Sequence, residues 1–182
     1  MSQTPKAPIL VLGVGNTMLG DDGAGVDLVG RLSRWGRNWH GAVEYLAGGT
    51  QGAALLSAVA GRYALVILDA ITLGASPGTV HLLHDAEVLA LSQHSASASK
   101  TNAGELLGAA LLLGELPERI FMVGIEPACL KSGHRLSLPV RRSIPEALGL
   151  AQNAIVEALE SQFLPPAFDF RQPIEWPAVC NR

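Results

Sequence analysis

The sequence has few of the features expected of a secreted, a membrane-spanning or a nucleic-acid-binding protein. Its two cysteines, Cys129 and Cys180, lie too far apart for a metal knuckle or a CxxC motif and favour a reducing compartment. The first apolar run, residues 9–14, is too short for a signal peptide or a membrane span. The net charge is -3, and no basic face is visible. We therefore expect a cytoplasmic protein that binds neither membranes nor nucleic acids.

Signatures of several catalytic and nucleotide-binding sites are also missing. There is no GxSxG nucleophile elbow and no Asp-Thr-Gly motif, and no histidine stands beside Cys129 in a catalytic pattern. Gly13 and Gly15 could open a GxGxxG fingerprint, but Met18 occupies the third glycine position. The second predicted strand ends at Ala47, where an acidic residue would be needed to hold a ribose. A small-molecule or nucleotide site is therefore the weakest functional hypothesis.

The sequence does have the pattern of an α/β domain. Its 182 residues, 48% hydrophobic and 16% charged, are enough to bury the core of one domain. The apolar periodicity predicts strands at 9–14, 43–46, 64–68, 79–83 and 120–125, and helices at 24–35, 51–59, 85–91, 102–113 and 144–159. This alternation predicts a three-layer fold, with helices on both faces of a twisted, mostly parallel sheet of about five strands. One strand, 79–83, follows a short turn and is the candidate for an antiparallel neighbour.

Polar residues suggest where the last two helices begin. Asn102 with Glu105, and Ser143 with Glu146, match the capping-box pattern. Gly114 would end the first of these helices.

The domain organisation is simple. Residues 1–162 are predicted to form one domain, and residues 163–182 a proline-rich irregular tail. The small, polar stretch 92–100 predicts a loop. No exposed apolar stripe is evident, so we expect a monomer.

Acidic residues stand at the ends of two predicted strands. Asp21 and Asp22 lie where the first helix begins, and Asp69 ends the third strand. Helix capping would explain one of the first two, and a loop hydrogen bond would explain Asp69. However, the carboxyl ends of parallel strands meet at one edge of a sheet, which brings Asp22 and Asp69 together. Carboxylates of different loops repel unless a cation or a shared proton lies between them, so we predict a divalent metal site.

A transition metal at this edge would need a third ligand, ideally an imidazole. His94 is the best-placed candidate because its predicted loop precedes a helix that begins at the same edge. A histidine exposed in a loop without any role is an equally good explanation. His134 follows the last strand and lies on or near the edge, whereas His81 and His84 are expected at the surface and His40 far away.

These motifs together resemble the nickel-iron hydrogenase maturation proteases. The resemblance spans residues 9–159 and is carried by five segments in the family's order and spacing: 12–26 (LGVGNTMLGDDGAGV), 48–52 (GGTQG), 68–71 (LDAI), 77–79 (PGT) and 123–127 (VGIEP). The resemblance implies a twisted sheet between helices, and an enzyme that cuts a C-terminal extension from the hydrogenase large subunit after nickel insertion.

The resemblance also implies roles for single residues. Asp22 and Asp69 take the positions of two metal-contacting acidic residues and would be both ligands and catalytic groups, while Gly48, Gly49 and Thr50 would line the substrate cleft. Glycine at such positions lets a peptide backbone approach closely.

Two positions depart from the family's pattern. Ala47 replaces the aspartate that usually precedes the Gly-Gly-Thr motif, and the family's histidine falls on Ser99. Serine is a poor metal ligand at neutral pH, so either His94 supplies the imidazole or the site lacks one. Lys100 could instead form an ion pair with a carboxylate and weaken metal binding.

Two functional hypotheses follow. The first is a metal-directed endopeptidase whose nickel arrives in the large-subunit precursor, held by the precursor's cysteine thiolates, and needs no conventional nucleophile. The second is a catalytically impaired relative that binds the precursor as an assembly factor, because Ala47 and Ser99 remove polar groups from the site.

Overall fold

A computed structural model describes residues 6–35, 39, 41–94 and 102–163 of the chain. The strands are β1 (Ile9–Val14), β2 (Val43–Gly49), β3 (Ala64–Ala70), β4 (Val80–His84) and β5 (Arg119–Ile125). The helices are α1 (Ala24–Trp35), α2 (Leu56–Val59), α3 (Asp85–His94), α4 (Asn102–Leu113) and α5 (Leu138–Phe163). Short 3-10 turns, Gly20–Gly23 and Gly52–Leu55, precede α1 and α2.

The strands form one twisted sheet in the order β2-β1-β3-β5-β4. The β1–β2, β1–β3 and β3–β5 pairs are parallel, and β4 runs antiparallel to β5. This confirms the predicted mostly parallel sheet and its single antiparallel candidate. The carboxyl ends of β1, β2, β3 and β5 consequently lie at one edge, which we call the carboxyl edge.

Helices cover both faces of the sheet, as predicted. Alternate residues of the three central strands point to opposite faces, because side chains alternate along a strand. One face packs against α1 and α5, and the other packs against α2, α3 and α4. β1 and β3 are fully buried along their length, which explains why their sequences are continuous apolar runs.

Glycines let α1 lie very close to the sheet. A β-carbon added to Gly25 would be 2.1 Å from the Leu68 carbonyl oxygen, and one added to Gly13 would be 2.5 Å from Cγ1 of Val29. Gly13, one of the two glycines that suggested a nucleotide fingerprint, therefore serves helix–sheet packing.

Two helices, α3 and α5, extend beyond their predicted bounds. α5 begins at Leu138 rather than near Ser143, because Pro139 suits the first turn of a helix. The predicted capping box with Glu146 is therefore wrong, since Ser143 lies inside α5 and donates from Oγ to the carbonyl oxygens of Gly78 and Pro139. α3 also continues to His94, which places three residues of the predicted 92–100 loop in a helix.

The described surface carries more apolar area than expected. Leu111, Leu112 and Leu113 are all exposed at the end of α4, where a charged or polar helix end would be usual. The monomer stays a prediction, but its premise that no apolar stripe is exposed was wrong. None of the described helices is long and apolar enough to span a membrane. The tail predicted for 163–182 lies, beyond Phe163, outside the described residues.

Candidate active site

Asp22 and Asp69 meet at the carboxyl edge, as the sequence predicted. Asp22 belongs to the 3-10 turn after β1, and its Oδ2 accepts a hydrogen bond from the backbone N–H of Asn16 at 2.7 Å. Asp69 is the sixth residue of β3 and is only 3% exposed. Its Oδ1 accepts a hydrogen bond from the N–H of Ala70 at 2.8 Å. The two carboxyl groups are close enough for the charge of Asp22 to act on Asp69.

The environment of Asp69 favours its protonated form. Burial raises the pKa of this carboxyl group from its usual 3.8 to about 8. The hydrogen bond from Ala70 opposes this shift, and the negative charge of Asp22 increases it. The carboxyl pair therefore carries a proton at neutral pH unless a cation replaces it.

Gly15 connects the elements around the pair. Its φ angle of 116° is one that other residues rarely adopt, and its N–H donates to the Gly49 carbonyl oxygen at 2.9 Å. A β-carbon here would lie 1.8 Å from the backbone oxygen of Asp22 and 3.7 Å from Oδ1 of Asp69. The site thus has no room for a side chain at Gly15.

The Gly-Gly-Thr motif lies beside this junction. Gly48 is buried against Leu12 and Leu55, whereas Thr50 is exposed. Gly49 has a φ angle of 57°, and nothing lies within 4 Å of the position its β-carbon would take. The motif therefore borders open space next to the hydrogen bond between Gly15 and Gly49.

Asp21 has a different role from its neighbour, and helix capping does not describe it. The side chain is fully buried, and its hydrogen bonds come from the loop after β5 rather than from α1. Oδ2 accepts from the N–H groups of Ala128 and Cys129 at 2.8 and 2.9 Å, and Oδ1 accepts from that of Ser137 at 2.6 Å. Asp21 therefore fastens both ends of the 128–137 loop to the turn that holds Asp22.

Glu126 makes a second clamp that the sequence did not reveal. This residue follows β5 and is 3% exposed. Its Oε1 accepts from the backbone N–H groups of Leu73 at 2.6 Å and Ala75 at 2.9 Å. The loop after Asp69 is thereby held against the end of β5.

The described histidines do not complete a metal site with the two aspartates. His81 is in register with Gly124, which is in register with Asp69, but the side chain of Ile71 covers Gly124 between them. His81 is also less exposed than predicted, and its Nε2 lies 3.8 Å from Oε1 of Glu126. His134 lines a 320 Å³ pocket with Thr17 and other residues, and neither aspartate lines that pocket.

The predicted roles of His94 as a ligand and of Ser99 as the residue at the family's histidine position stay predictions. α3 ends at His94, but the side chain of His94 and residues 95–101 lie outside the described part of the chain, as does His40. Within the described part, no group of three or more His, Cys, Asp or Glu residues could hold a metal ion. The two carboxylates alone offer the oxygen ligands of an incomplete site.

The pKa of Asp69 predicts how metal-free protein should respond to pH. A carboxyl group with a raised pKa in the folded state stabilises the fold below its unfolded pKa, and this stability is lost as pH rises towards about 8. The side chain of Asp69→Asn cannot lose a proton. The melting temperature of this variant should therefore exceed that of wild type by at least a few degrees at pH 9, and the difference should be much smaller at pH 5. Melting curves in a chelating buffer would measure this difference. Parallel pH profiles for the two proteins would contradict the raised pKa.

Comparisons with known proteins agree with this fold and identify the family. A model of the family described as "Hydrogenase maturation protease" matches residues 26–154. The hydrogenase expression/formation protein HupD of Rhizobium leguminosarum bv. viciae is 38% identical over 150 residues, which are 81% of this chain and 74% of that protein. The hydrogenase 2 maturation protease of Escherichia coli (strain K12) is 37% identical over 151 residues, which are 82% of this chain and 92% of that protein.

Solved structures are similar too. The hydrogenase maturating endopeptidase HybD from E. coli superposes with a TM-score of 0.73 at 36% identity, covering 82% of this chain and 93% of that one. The [NiFe] hydrogenase maturation protease HybD from Thermococcus kodakarensis superposes with a TM-score of 0.62 at 27% identity, covering 80% and 97%.

Proposed function

The chain belongs to the hydrogenase maturation protease family, and from that premise we propose a specific reaction for it. It is a nickel-directed endopeptidase that removes the C-terminal extension of a nickel-iron hydrogenase large-subunit precursor. The observation that carries this proposal is the pairing of Asp22 with the buried Asp69, whose pKa is raised, at the carboxyl edge.

Nickel belongs to the substrate in this reaction and arrives on the precursor's thiolates. Asp22 and Asp69 add oxygen ligands, and binding of the cation releases the proton of Asp69, because a ligand must be deprotonated. The ion would hold the scissile bond in place and polarise its carbonyl group as a Lewis acid, so that water could add to the carbonyl carbon and release a carboxylate and a new amino terminus.

The cleft beside the aspartates suits an extended peptide. Gly49 leaves space where a side chain would stand, and Thr50 is exposed next to it. A substrate backbone can approach this segment closely because glycine presents no side chain. Gly48, Gly49 and Thr50 are therefore the proposed cleft residues.

His94 is the proposed third ligand. β4 runs away from the carboxyl edge, and α3 begins at the opposite edge, where Asp85 Oδ1 accepts from the N–H of Ile120 at 2.7 Å; His94 is at the other end of this helix. α3 also packs on the face of the sheet from which Asp69 projects. This placement of α3 supports His94 as the third ligand.

The proposal is tested by following the mass of the precursor. The purified protein is incubated with the nickel-loaded large-subunit precursor, and we expect the C-terminal extension to be lost. His94→Ala should slow this loss by about a hundredfold, because loss of a ligand weakens metal binding. Cleavage by His94→Ala at the wild-type rate would show that the imidazole is dispensable or comes from elsewhere.

A non-proteolytic assembly factor is the second candidate. Ala47 is exposed at the end of β2 and offers no carboxylate, and the described residues hold no three-ligand group. Such a protein would bind the precursor and leave its mass unchanged, which the same experiment detects.

A further inference from the structure

Most of the described lysine and arginine side chains are engaged by oxygen atoms of the protein. Arg31, Arg62 and Arg119 form ion pairs, while Lys6 and Arg34 donate to backbone carbonyl oxygens. The exceptions all lie in one short segment and are exposed: Lys131, Arg135, Arg141 and Arg142. Among the described residues, no acidic group forms an ion pair with any of these four.

Little negative charge surrounds these cations, and the nearest acidic residue along α5, Glu146, forms no ion pair with Arg142 among the described residues. Residues 127–145 contain no aspartate or glutamate, although the whole chain has a net charge of -3. Arg141 and Arg142 also lie near the amino end of α5, where the helix dipole disfavours positive charge, and the first turn of α5 has no acidic residue. Such an arrangement lowers stability slightly, so an external anionic partner is the better explanation.

Exposed apolar side chains accompany the cations. Met18, Leu130 and Leu138 are each about half exposed. Leu138 and Arg142 are neighbours on one face of α5, because residues four apart in a helix lie side by side. We call Met18, Leu130, Leu138 and the four cations the basic-apolar surface.

Hydrogen bonds hold this surface in a fixed position beside Asp22. Gly133 accepts a hydrogen bond from Gly20 at 2.7 Å and donates one to Met18 at 2.9 Å. The Asp21 carboxylate fastens both ends of the 128–137 loop. The backbone N–H of Arg141 donates to the carbonyl oxygen of Ser137 at the start of α5. The surface is therefore built onto the same turn that presents Asp22.

We propose that the basic-apolar surface docks an acidic segment of the precursor protein that also carries apolar side chains. This inference rests on the proposed function and identifies how the substrate is held outside the cleft. Charge complementarity selects the acidic partner, and the apolar residues favour a protein surface over a nucleic acid. Exposed apolar side chains next to a site commonly mark such interfaces.

Steady-state kinetics with the nickel-loaded precursor test the proposal. Arg141→Glu and Arg142→Glu should each raise KM about tenfold and leave kcat unchanged, since the charges act on docking alone. Lys6→Glu is the matched control, because it changes the net charge equally but lies before β1, at the opposite edge of the sheet. Added salt should raise KM for wild type and have less effect on the two arginine variants.

Several results would overturn the docking proposal. These are an unchanged KM in both arginine variants, or an equal rise of KM in Lys6→Glu. Binding of wild type, but not of the variants, to vesicles containing anionic lipid with no change in KM would assign the surface to a membrane instead.

Binding measurements separate this proposal from the proposed function. If wild type does not cut the precursor, the endopeptidase assignment fails. The docking proposal can still be tested by binding alone. The dissociation constant for the precursor is measured with Asp69→Asn and with the double variant that also carries Arg142→Glu. A dissociation constant about tenfold higher in the double variant supports docking at this surface, and equal dissociation constants reject it.

Discussion

Asp69→Asn is expected to abolish removal of the C-terminal extension while the protein remains folded. The amide oxygen can still accept the hydrogen bond from Ala70, and the amide has nearly the shape of the protonated carboxyl group. It cannot become an anion, so it is a far weaker metal ligand. We expect processing to fall about a thousandfold or more, as when an essential catalytic group is lost.

Asp27→Asn provides the matched control for this experiment. Asp27 lies on α1 and forms an ion pair with Arg31 at 2.7 Å, so its replacement removes one negative charge outside the carboxyl pair. Processing should continue at close to the wild-type rate. The two variants are compared by the mass of the precursor at intervals and by their circular dichroism. Normal processing by Asp69→Asn would refute the mechanism, and loss in both variants would show that the effect is not specific to Asp69.

The central sheet could be predicted from the sequence because its signal is local. Strands buried on both faces require apolar residues at successive positions, and β1 and β3 show this directly. The meeting of Asp22 with Asp69 also followed, since each ends or follows a parallel strand and such ends share one edge. The sequence predicted the parallel order of the strands, and the position of the two aspartates follows from that order.

The clamps could not be predicted, because their partners are distant in sequence. Asp21 binds N–H groups more than a hundred residues away, and Glu126 binds a loop 51 and 53 residues away. An aspartate beside a helix start looks the same in sequence whether it caps that helix or holds another loop. Only the register of β3 with β5 brings the Glu126 side chain to the loop after Asp69.

The start of α5 was mispredicted for a related reason. Ser143 and Glu146 have the spacing of a capping box, but the loop held by Asp21 ends at Ser137, and Pro139 allows the helix to begin at once. The hydrogen bond from Ser137 to Asp21 therefore determines where α5 begins, and the local capping pattern does not. Pro145 lies inside the resulting helix.

Asp21→Asn should destabilise the protein strongly, whereas the same change at Asp22 should not. An asparagine can offer one oxygen, so its NH2 group must face either the N–H of Ser137 or those of Ala128 and Cys129. Losing charge-assisted hydrogen bonds in a buried place costs about 1.5–3 kcal/mol for each bond. We expect the free energy of unfolding to fall by about 3 kcal/mol or more.

Urea unfolding of Asp21→Asn and Asp22→Asn would measure the contrast between the two neighbours. Within the described part of the chain, the Asp22 side chain accepts one hydrogen bond, from Asn16, which an amide oxygen can also accept. The Asp22→Asn variant should therefore stay within about 1 kcal/mol of wild type. Processing should nevertheless be lost in Asp22→Asn, because a neutral amide oxygen is a far weaker metal ligand than a carboxylate. Equal stability of the two variants would contradict the clamp. The expected result would separate the adjacent aspartates by function, because Asp21 holds the turn in place and Asp22 is the residue that this turn carries to the carboxyl edge.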